Sequence, residues 1–157
     1  MHADIAVLTV IPEELKWARK ALGIREKDRR MASNGTNYWS GSVCSRLMNR
    51  DYLIALACIG SAGNYDCAAA ATEIIIEYRP RVLLLMGIAA GIRERVRIGE
   101  IVLSERVVAY EPGSLEERPD GSHVFVPRTD MPRIVHRIEQ DVANYLASVN
   151  LKRVERK

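Results

Sequence analysis

The chain has 157 residues, of which 48% are hydrophobic, and a formal net charge of +3. This length and apolar content predict one compact domain with a buried core. Arginines alternate with glutamates and form no basic stripe, which argues against a nucleic-acid partner. Neither a signal peptide nor an apolar run of transmembrane length is visible, so we expect a soluble cytoplasmic protein that does not bind a membrane.

The first third of the chain predicts strands around one helix. An apolar run at residues 5–10 predicts a strand, and Pro12 suits the first position of the helix that follows. Residues 25–37 are polar and predict a loop. Residues 38–44 and 52–58 are predicted as neighbouring strands joined by an irregular turn.

A βαβ unit organises the centre of the chain. The strand at residues 52–58 is followed by a glycine turn at 60–63, an alanine-rich helix at 65–78 and an apolar run at 82–86. Two apolar runs joined by a helix of this length predict parallel strands. The run at 82–86 lacks polar alternation, which predicts a central strand covered on both faces. It ends at the sequence Gly-Ile-Ala-Ala-Gly, residues 87–91.

The last third of the chain is more polar. Residues 101–110 predict a long strand, residues 111–130 an exposed excursion, and residues 132–149 an amphipathic helix. A sheet of this kind needs a further strand beside the last helix to finish burying its core. We therefore interpret residues 1–157 as a single but incomplete domain, either truncated or completed by another chain.

Open parallel sheets bind ligands outside the carboxyl ends of their strands, where both glycine clusters fall. Glu13 and Glu14 follow the first strand, and a carboxylate there suits a general base or a residue that positions water. Acidic residues also stabilise the first turn of a helix without any further role. The turn at Gly63 either lets a ligand approach the backbone or is only a tight turn. Residues 87–91 offer backbone groups and a flat apolar surface, as a nucleobase or sugar face needs.

Other polar groups give weaker signals. Arg93, Arg95 and Arg97 suit the phosphate groups of a ligand, although such arginines more often form a solvated charged loop. The three histidines are scattered, and no cysteine pair has zinc-site spacing. We therefore expect no metal and no cofactor.

The spacing of five features resembles the superfamily of nucleoside phosphorylases and methylthioadenosine/S-adenosylhomocysteine nucleosidases. These features are Gly63, Thr72, Pro80, the loop at 87–91 and the Gly-Glu-Ile-Val sequence at 99–102. With the Pro-Glu-Glu sequence that begins at Pro12, the set looks most like the phosphorylase-like domains of bacterial defence effectors. Some of those domains are thought to cleave adenine nucleotides such as ATP. The resemblance implies a three-layer αβα sandwich around a mostly parallel mixed sheet, and a homo-oligomer.

The resemblance also implies a reaction. The family breaks an N-glycosidic bond through an oxocarbenium-like sugar that water or phosphate attacks. In the hydrolytic branch a glutamate early in the first helix positions the water, and the matching residue is Glu14, with Glu13 as the alternative. The positions that match the substrate-binding residues are Ile11, Gly63, Ile88, Ala89, Ala90 and Gly91.

Two departures from the family pattern matter. Where phosphorylases hold phosphate with an arginine and a serine, this chain has Leu85 and Ile88, which favours hydrolysis or the loss of catalysis. The family's Met-Glu ribose clamp and purine-protonating aspartate match positions beyond Lys157. The resemblance thus implies a nucleosidase that acts on a purine nucleoside or nucleotide. The alternative is a catalytically inactive nucleotide-binding or assembly module of the same fold.

Overall fold

The computed structural model describes residues 1–45, 48–108, 112–128, 132 and 136–148. The chain divides into two compact units, Met1–Gly91 and Ile92–Lys157. The described part of the first unit contains a five-stranded sheet and two α-helices. In chain order its elements are β1 (Ile5–Thr9), α1 (Pro12–Leu22), a 3-10 turn (Glu26–Asp28), β2 (Arg29–Met31), β3 (Asn37–Ser45), β4 (Arg50–Cys58), α2 (Asn64–Tyr78) and β5 (Val82–Leu85).

The sheet of the first unit is mixed, with the order β2-β3-β4-β1-β5. Strand β1 runs parallel to both β4 and β5, whereas β3 is antiparallel to β2 and β4. The register places Val7 of β1 opposite Leu56 of β4 and Leu84 of β5. The predicted βαβ unit is therefore confirmed as β4-α2-β5, and β1 lies between its two strands.

Both faces of β1 are buried, which explains its unbroken apolar sequence. Ala6 and Leu8 belong to one core cluster with Ile74 of α2. Val7 points the other way and belongs to a second cluster with Leu15 of α1. Because successive strand residues face opposite sides of a sheet, α1 and α2 cover opposite faces. Full burial of a leucine such as Leu8, which is 1% exposed, contributes about 2 kcal/mol. The predicted three-layer αβα arrangement is confirmed.

Local sequence sets the ends of helix α1. Pro12 occupies its first turn, where a missing N–H removes no helical hydrogen bond. Gly23 ends the helix in the left-handed region, with a φ of 70°, and its N–H donates to the carbonyls of Arg19 and Lys20. The helix therefore begins directly after the carboxyl end of β1 and points its first turn at that edge of the sheet.

The described part of the second unit holds a hairpin and a helix. Strand β6 (Gly113–Glu117) pairs antiparallel with β7 (His123–Pro127), and helix α3 spans His136–Ser148. Residues 111–130 were predicted as an exposed excursion without strands; both strands of the hairpin are mostly exposed, but the loop-like character of the prediction is wrong for them. The turn that closes the hairpin is tied by an N–H bond from Gly121 to the carbonyl of Arg118, at 2.8 Å. Residue 111 and residues 129–131 lie outside the described range.

Several predicted boundaries and one predicted strand are also wrong. Residues 101–108 of the strand predicted at 101–110 contain only an isolated bridge residue, Arg106, and Ile101 is 98% exposed; residues 109 and 110 lie outside the described range. An apolar run becomes a strand only where a neighbour satisfies its backbone groups, and the described residues give this run no such ladder. Residues 25–37, predicted as a loop, contain β2. Pro132 is not helical, so the predicted start of the last helix is too early, and residues 133–135 and 149 lie outside the described range.

Strand β5 departs from its prediction as a central, fully covered strand. Among the described strands it pairs only with β1, and Leu84 and Leu85 are 39% and 62% exposed. An apolar sequence shows that a strand can be buried, whereas actual coverage depends on a neighbouring strand and helices on both faces. Within the described part of the chain, none of the helices has the length and apolarity that crossing a membrane requires.

Candidate active site

The carboxyl ends of β4, β1 and β5 meet at one edge of the sheet because these strands are parallel. Backbone hydrogen bonds hold the chain together just past those ends. The N–H of Gly60 donates to the carbonyl of Val10 at 3.0 Å, and the N–H of Met86 donates to that of Leu8 at 2.9 Å. The turn after β4, the start of α1 and the loop after β5 therefore share this edge, with α1 in the middle position.

The side chain of Glu14 joins two of these segments. Its Oε2 accepts hydrogen bonds from the N–H of Val10 at 2.8 Å and from the N–H of Ile11 at 3.1 Å. Its Oε1 accepts a hydrogen bond from the N–H of Ile88 at 2.8 Å. The structure thus brings together three residues that the sequence analysis singled out: Ile11, Glu14 and Ile88. Glu13 is exposed, and within the described residues its side chain has neither a hydrogen bond nor an ion pair.

These hydrogen bonds set the charge of Glu14. The N–H of Ile88 is the largest cause that holds the pKa of this carboxyl below its ordinary value; burial opposes it, and the N–H groups of Ile11 and Val10 add to it. Glu14 is therefore an anion at neutral pH. A carboxylate has about four lone-pair positions, and three are filled here, which leaves one on Oε1. A group with a depressed pKa is a weak proton acceptor, so this geometry suits orienting a water molecule.

The loop at residues 87–91 is open rather than filled by packed side chains. Ile88 is 81% exposed, and Ala89, Ala90 and Gly91 are also exposed. In the part of the chain that the structure describes, the backbone N–H groups of Ala89, Ala90 and Gly91 have no hydrogen-bond acceptor. They are free to donate to a ligand oxygen or ring nitrogen beside the carboxylate of Glu14.

Gly63 caps helix α2 at the same edge. It accepts the N–H of Cys67 at 3.0 Å, and it has no hydrogen bond to Glu14. Asp66 lies in the first turn of α2, and its carboxylate accepts a hydrogen bond from the hydroxyl of Ser61. Because that carboxylate already supplies negative charge at the helix N-terminus, this end of α2 does not suit an anion.

Sequence reasoning missed Val10, whose N–H is one of the three donors to Glu14. A backbone donor has no residue-type signal, but the position of Glu14 does give one. Glutamate three residues after a helix N-cap commonly folds back onto the N–H of the cap residue, as Glu14 does with Ile11.

The resemblance to phosphorylases matches their phosphate-binding arginine and serine to one residue on β5 and one residue in the loop after it. Leu85 and Ile88 stand at the matching positions, and neither side chain can donate a hydrogen bond. Arg93, Arg95 and Arg97 belong to the second unit, where the backbone N–H of Arg97 donates to the carboxylate of Glu100 at 2.9 Å. Over the described ranges, no cluster of three or more His, Cys, Asp or Glu residues is placed to hold a metal ion.

Comparison with known proteins defines the class. The model of the phosphorylase superfamily matches residues 4–154, so the chain belongs to this superfamily. Two curated relatives, both described as ATP nucleosidase Cap17, come from Escherichia coli strain KTE188 and from Escherichia coli. Each is 34% identical to this chain over 149 residues, which cover 94% of this chain and 28% of the relative. The chain therefore spans little more than a quarter of those relatives. No solved structure matches it.

Proposed function

We propose that this chain hydrolyses the N-glycosidic bond of a purine nucleoside or nucleotide and that Glu14 orients the attacking water. The observation that carries the proposal is the arrangement of Glu14, an ionised carboxylate with one open acceptor position beside an uncovered loop of free backbone donors. Membership of the phosphorylase superfamily and the nucleosidase name of the two relatives support the same reaction class.

The proposed reaction breaks the bond between the anomeric carbon and the purine nitrogen. The base leaves with the electron pair of that bond and takes up a proton, while the sugar carbon gains positive charge. Water held by Oε1 of Glu14 attacks that carbon and gives up a proton. The negative charge of Glu14 stabilises the cationic sugar electrostatically as well as orienting the water. The products are the free purine and the sugar, which keeps any phosphate groups that the substrate carried.

The substrate that we propose first is an adenine nucleotide. The relatives are described as ATP nucleosidases, and the region similar to them covers 94% of this chain. The expectation that Arg93, Arg95 and Arg97 meet phosphate groups stays a sequence-based prediction. We also propose that the chain works in the cytoplasm, as its sequence suggests, and forms a homo-oligomer, as its resemblance to the superfamily implies.

Release of free base tests the proposed function. Adenine is measured by chromatography after incubation of ATP, AMP, methylthioadenosine and S-adenosylhomocysteine with this chain and with any longer natural version of it. We expect release of adenine that is lost in Glu14→Gln. Glu13→Gln is the matched control because that carboxylate, one residue earlier, is exposed and makes no contact at the site.

The second candidate is a nucleotide-binding or assembly module without catalysis. The observation in its favour is the depressed pKa of Glu14, which makes this carboxylate a weak base. Binding of a purine nucleotide without release of base, by this chain and by longer versions alike, would support that candidate over the nucleosidase.

A further inference from the structure

We propose that Gly87 is a positioning residue, whose lack of a side chain lets the carboxylate of Glu14 lie against the loop after β5. The inference rests on the proposed function, since the position of Glu14 matters to catalysis only if Glu14 orients the water. Gly87 follows β5 by two residues and directly precedes Ile88, the loop residue whose N–H donates to Glu14.

The space beside Gly87 is filled by one side chain. A Cβ atom built on Gly87 would lie 2.6 Å from Oε1 of Glu14, 3.0 Å from its Cδ and 3.2 Å from its Oε2. These are the three nearest atoms, and all belong to Glu14. Since carbon and oxygen atoms in contact need about 3.5 Å, a methyl group at residue 87 and the carboxylate in its present place exclude one another.

The backbone of Gly87 does not require glycine. The glycines with a φ in the left-handed region are Gly23, Gly35, Gly60, Gly99 and Gly121. Gly87 has no such φ, so an alanine at this position would meet no backbone strain. The closest conflicts are therefore with Glu14, and Gly87→Ala acts as a way to displace that carboxylate.

Displacement of the carboxylate would first affect Oε1. This oxygen accepts the N–H of Ile88 and has the one open acceptor position. The groups that face Glu14 are three backbone N–H donors, those of Val10, Ile11 and Ile88, and no charged side chain pairs with it within the described residues. Loss of the Ile88 bond would thus raise the pKa of Glu14 and move the water away from its line of attack.

The test compares Gly87→Ala with the unchanged protein. We expect kcat to fall about 100-fold, as a misplaced catalytic group commonly causes. We expect the KM to change little and the acidic limb of the pH–rate profile to move to higher pH. In a Glu14→Ala background, where the conflict is absent, Gly87→Ala should cause no further loss of activity. Circular dichroism shows whether each variant is folded.

Titration of the Glu14 carboxyl carbon by NMR is the second readout, and it needs no turnover. Gly87→Ala should raise the pKa of Glu14, and so should Ile88→Pro, which removes the N–H donor, places the ring Cδ where that hydrogen points and leaves glycine at residue 87. An unchanged pKa or a wild-type kcat in folded Gly87→Ala would overturn the positioning role. A raised pKa in Gly87→Ala, together with no release of base by the unchanged protein, would support the positioning role and refute the proposed function.

Discussion

The carboxylate of Glu14 accepts a hydrogen bond from the backbone N–H of Ile88, 74 residues further along the chain, at 2.8 Å. The same carboxylate accepts two N–H bonds from its own side of the site, from Val10 and Ile11. One side chain thus ties the beginning of α1 to the loop after β5 across the carboxyl edge of the sheet. The loop position and the carboxylate orientation depend on each other, which is why a single residue is expected to affect both stability and catalysis.

Stability should depend on the ionisation of Glu14. Its pKa is lowered in the folded state, so the folded protein binds this proton less readily than the unfolded chain does. The stabilisation is complete above the ordinary glutamate value of 4.5 and is lost as pH falls through the lower, folded-state pKa. Urea unfolding at a series of pH values, in the unchanged protein and in Glu14→Gln, measures this contribution.

The difference between the two unfolding curves isolates Glu14. Asp28 also has a lowered pKa, first because it accepts the N–H of Arg25, and Asp120 has one, first because it accepts the hydroxyl of Ser122. Both carboxylates are present in both proteins and therefore cancel. The free energy of unfolding should depend less on acid pH in Glu14→Gln. If the free energy of unfolding had the same pH dependence in both proteins, the three N–H bonds to Glu14 would contribute nothing to the pH-dependent stability.

The turn after β4 should depend on the backbone conformation of Gly60. Its φ is 86°, and a Cβ built there meets no atom within 4 Å, so the cost of a side chain is conformational rather than steric crowding. We expect Gly60→Ala to lower the free energy of unfolding by about 1–2 kcal/mol. Gly60→Asn should lower it less, because asparagine tolerates this region better. Thermal or urea unfolding checks the order, and equal losses would contradict the conformational cause.

Phosphate should not take part in the reaction. Leu85 is 62% exposed and Ile88 is 81% exposed, but neither side chain can hold the anion that a phosphorylase uses. The rate of base release should be the same with added phosphate as with sodium chloride of equal ionic strength. Phosphorus NMR of the products should show no sugar 1-phosphate. A phosphate-dependent rate together with that product would make the enzyme a phosphorylase.

Much of the fold was predictable from local pattern. The strands predicted at residues 5–10, 38–44 and 52–58 match β1, β3 and β4 to within two residues, and the helix predicted at 65–78 matches α2 to within one. These elements owe their sequences to burial, and burial leaves a periodic signal. The apolar pattern also predicted a strand at 101–110 that the described residues 101–108 do not form, because an apolar run does not show whether a partner strand exists.

Strand β2 is the opposite case, a strand in a stretch that was predicted as a loop. Its three residues, Arg29–Met31, are all exposed, and they form a strand only because β3 is beside them. The candidate site likewise has a part that was predictable from the sequence and a part that was not. The position of Glu14 after the first strand is visible in the sequence, and its catalytic role stays a prediction. Its contacts with Val10 and Ile88 were not predictable, because backbone donors are identical at every residue but proline.

The measurement that tests the central claim most directly is the initial rate of adenine release from ATP by the unchanged protein, Glu14→Gln and Glu13→Gln. We predict that Glu14→Gln lowers kcat by about 100-fold or more, because the glutamine amide cannot present the same ionised oxygen to water. Glu13→Gln should keep nearly the rate of the unchanged protein. Equal rates in the two variants, or a loss confined to Glu13→Gln, would contradict the assignment of Glu14 as the residue that orients the water.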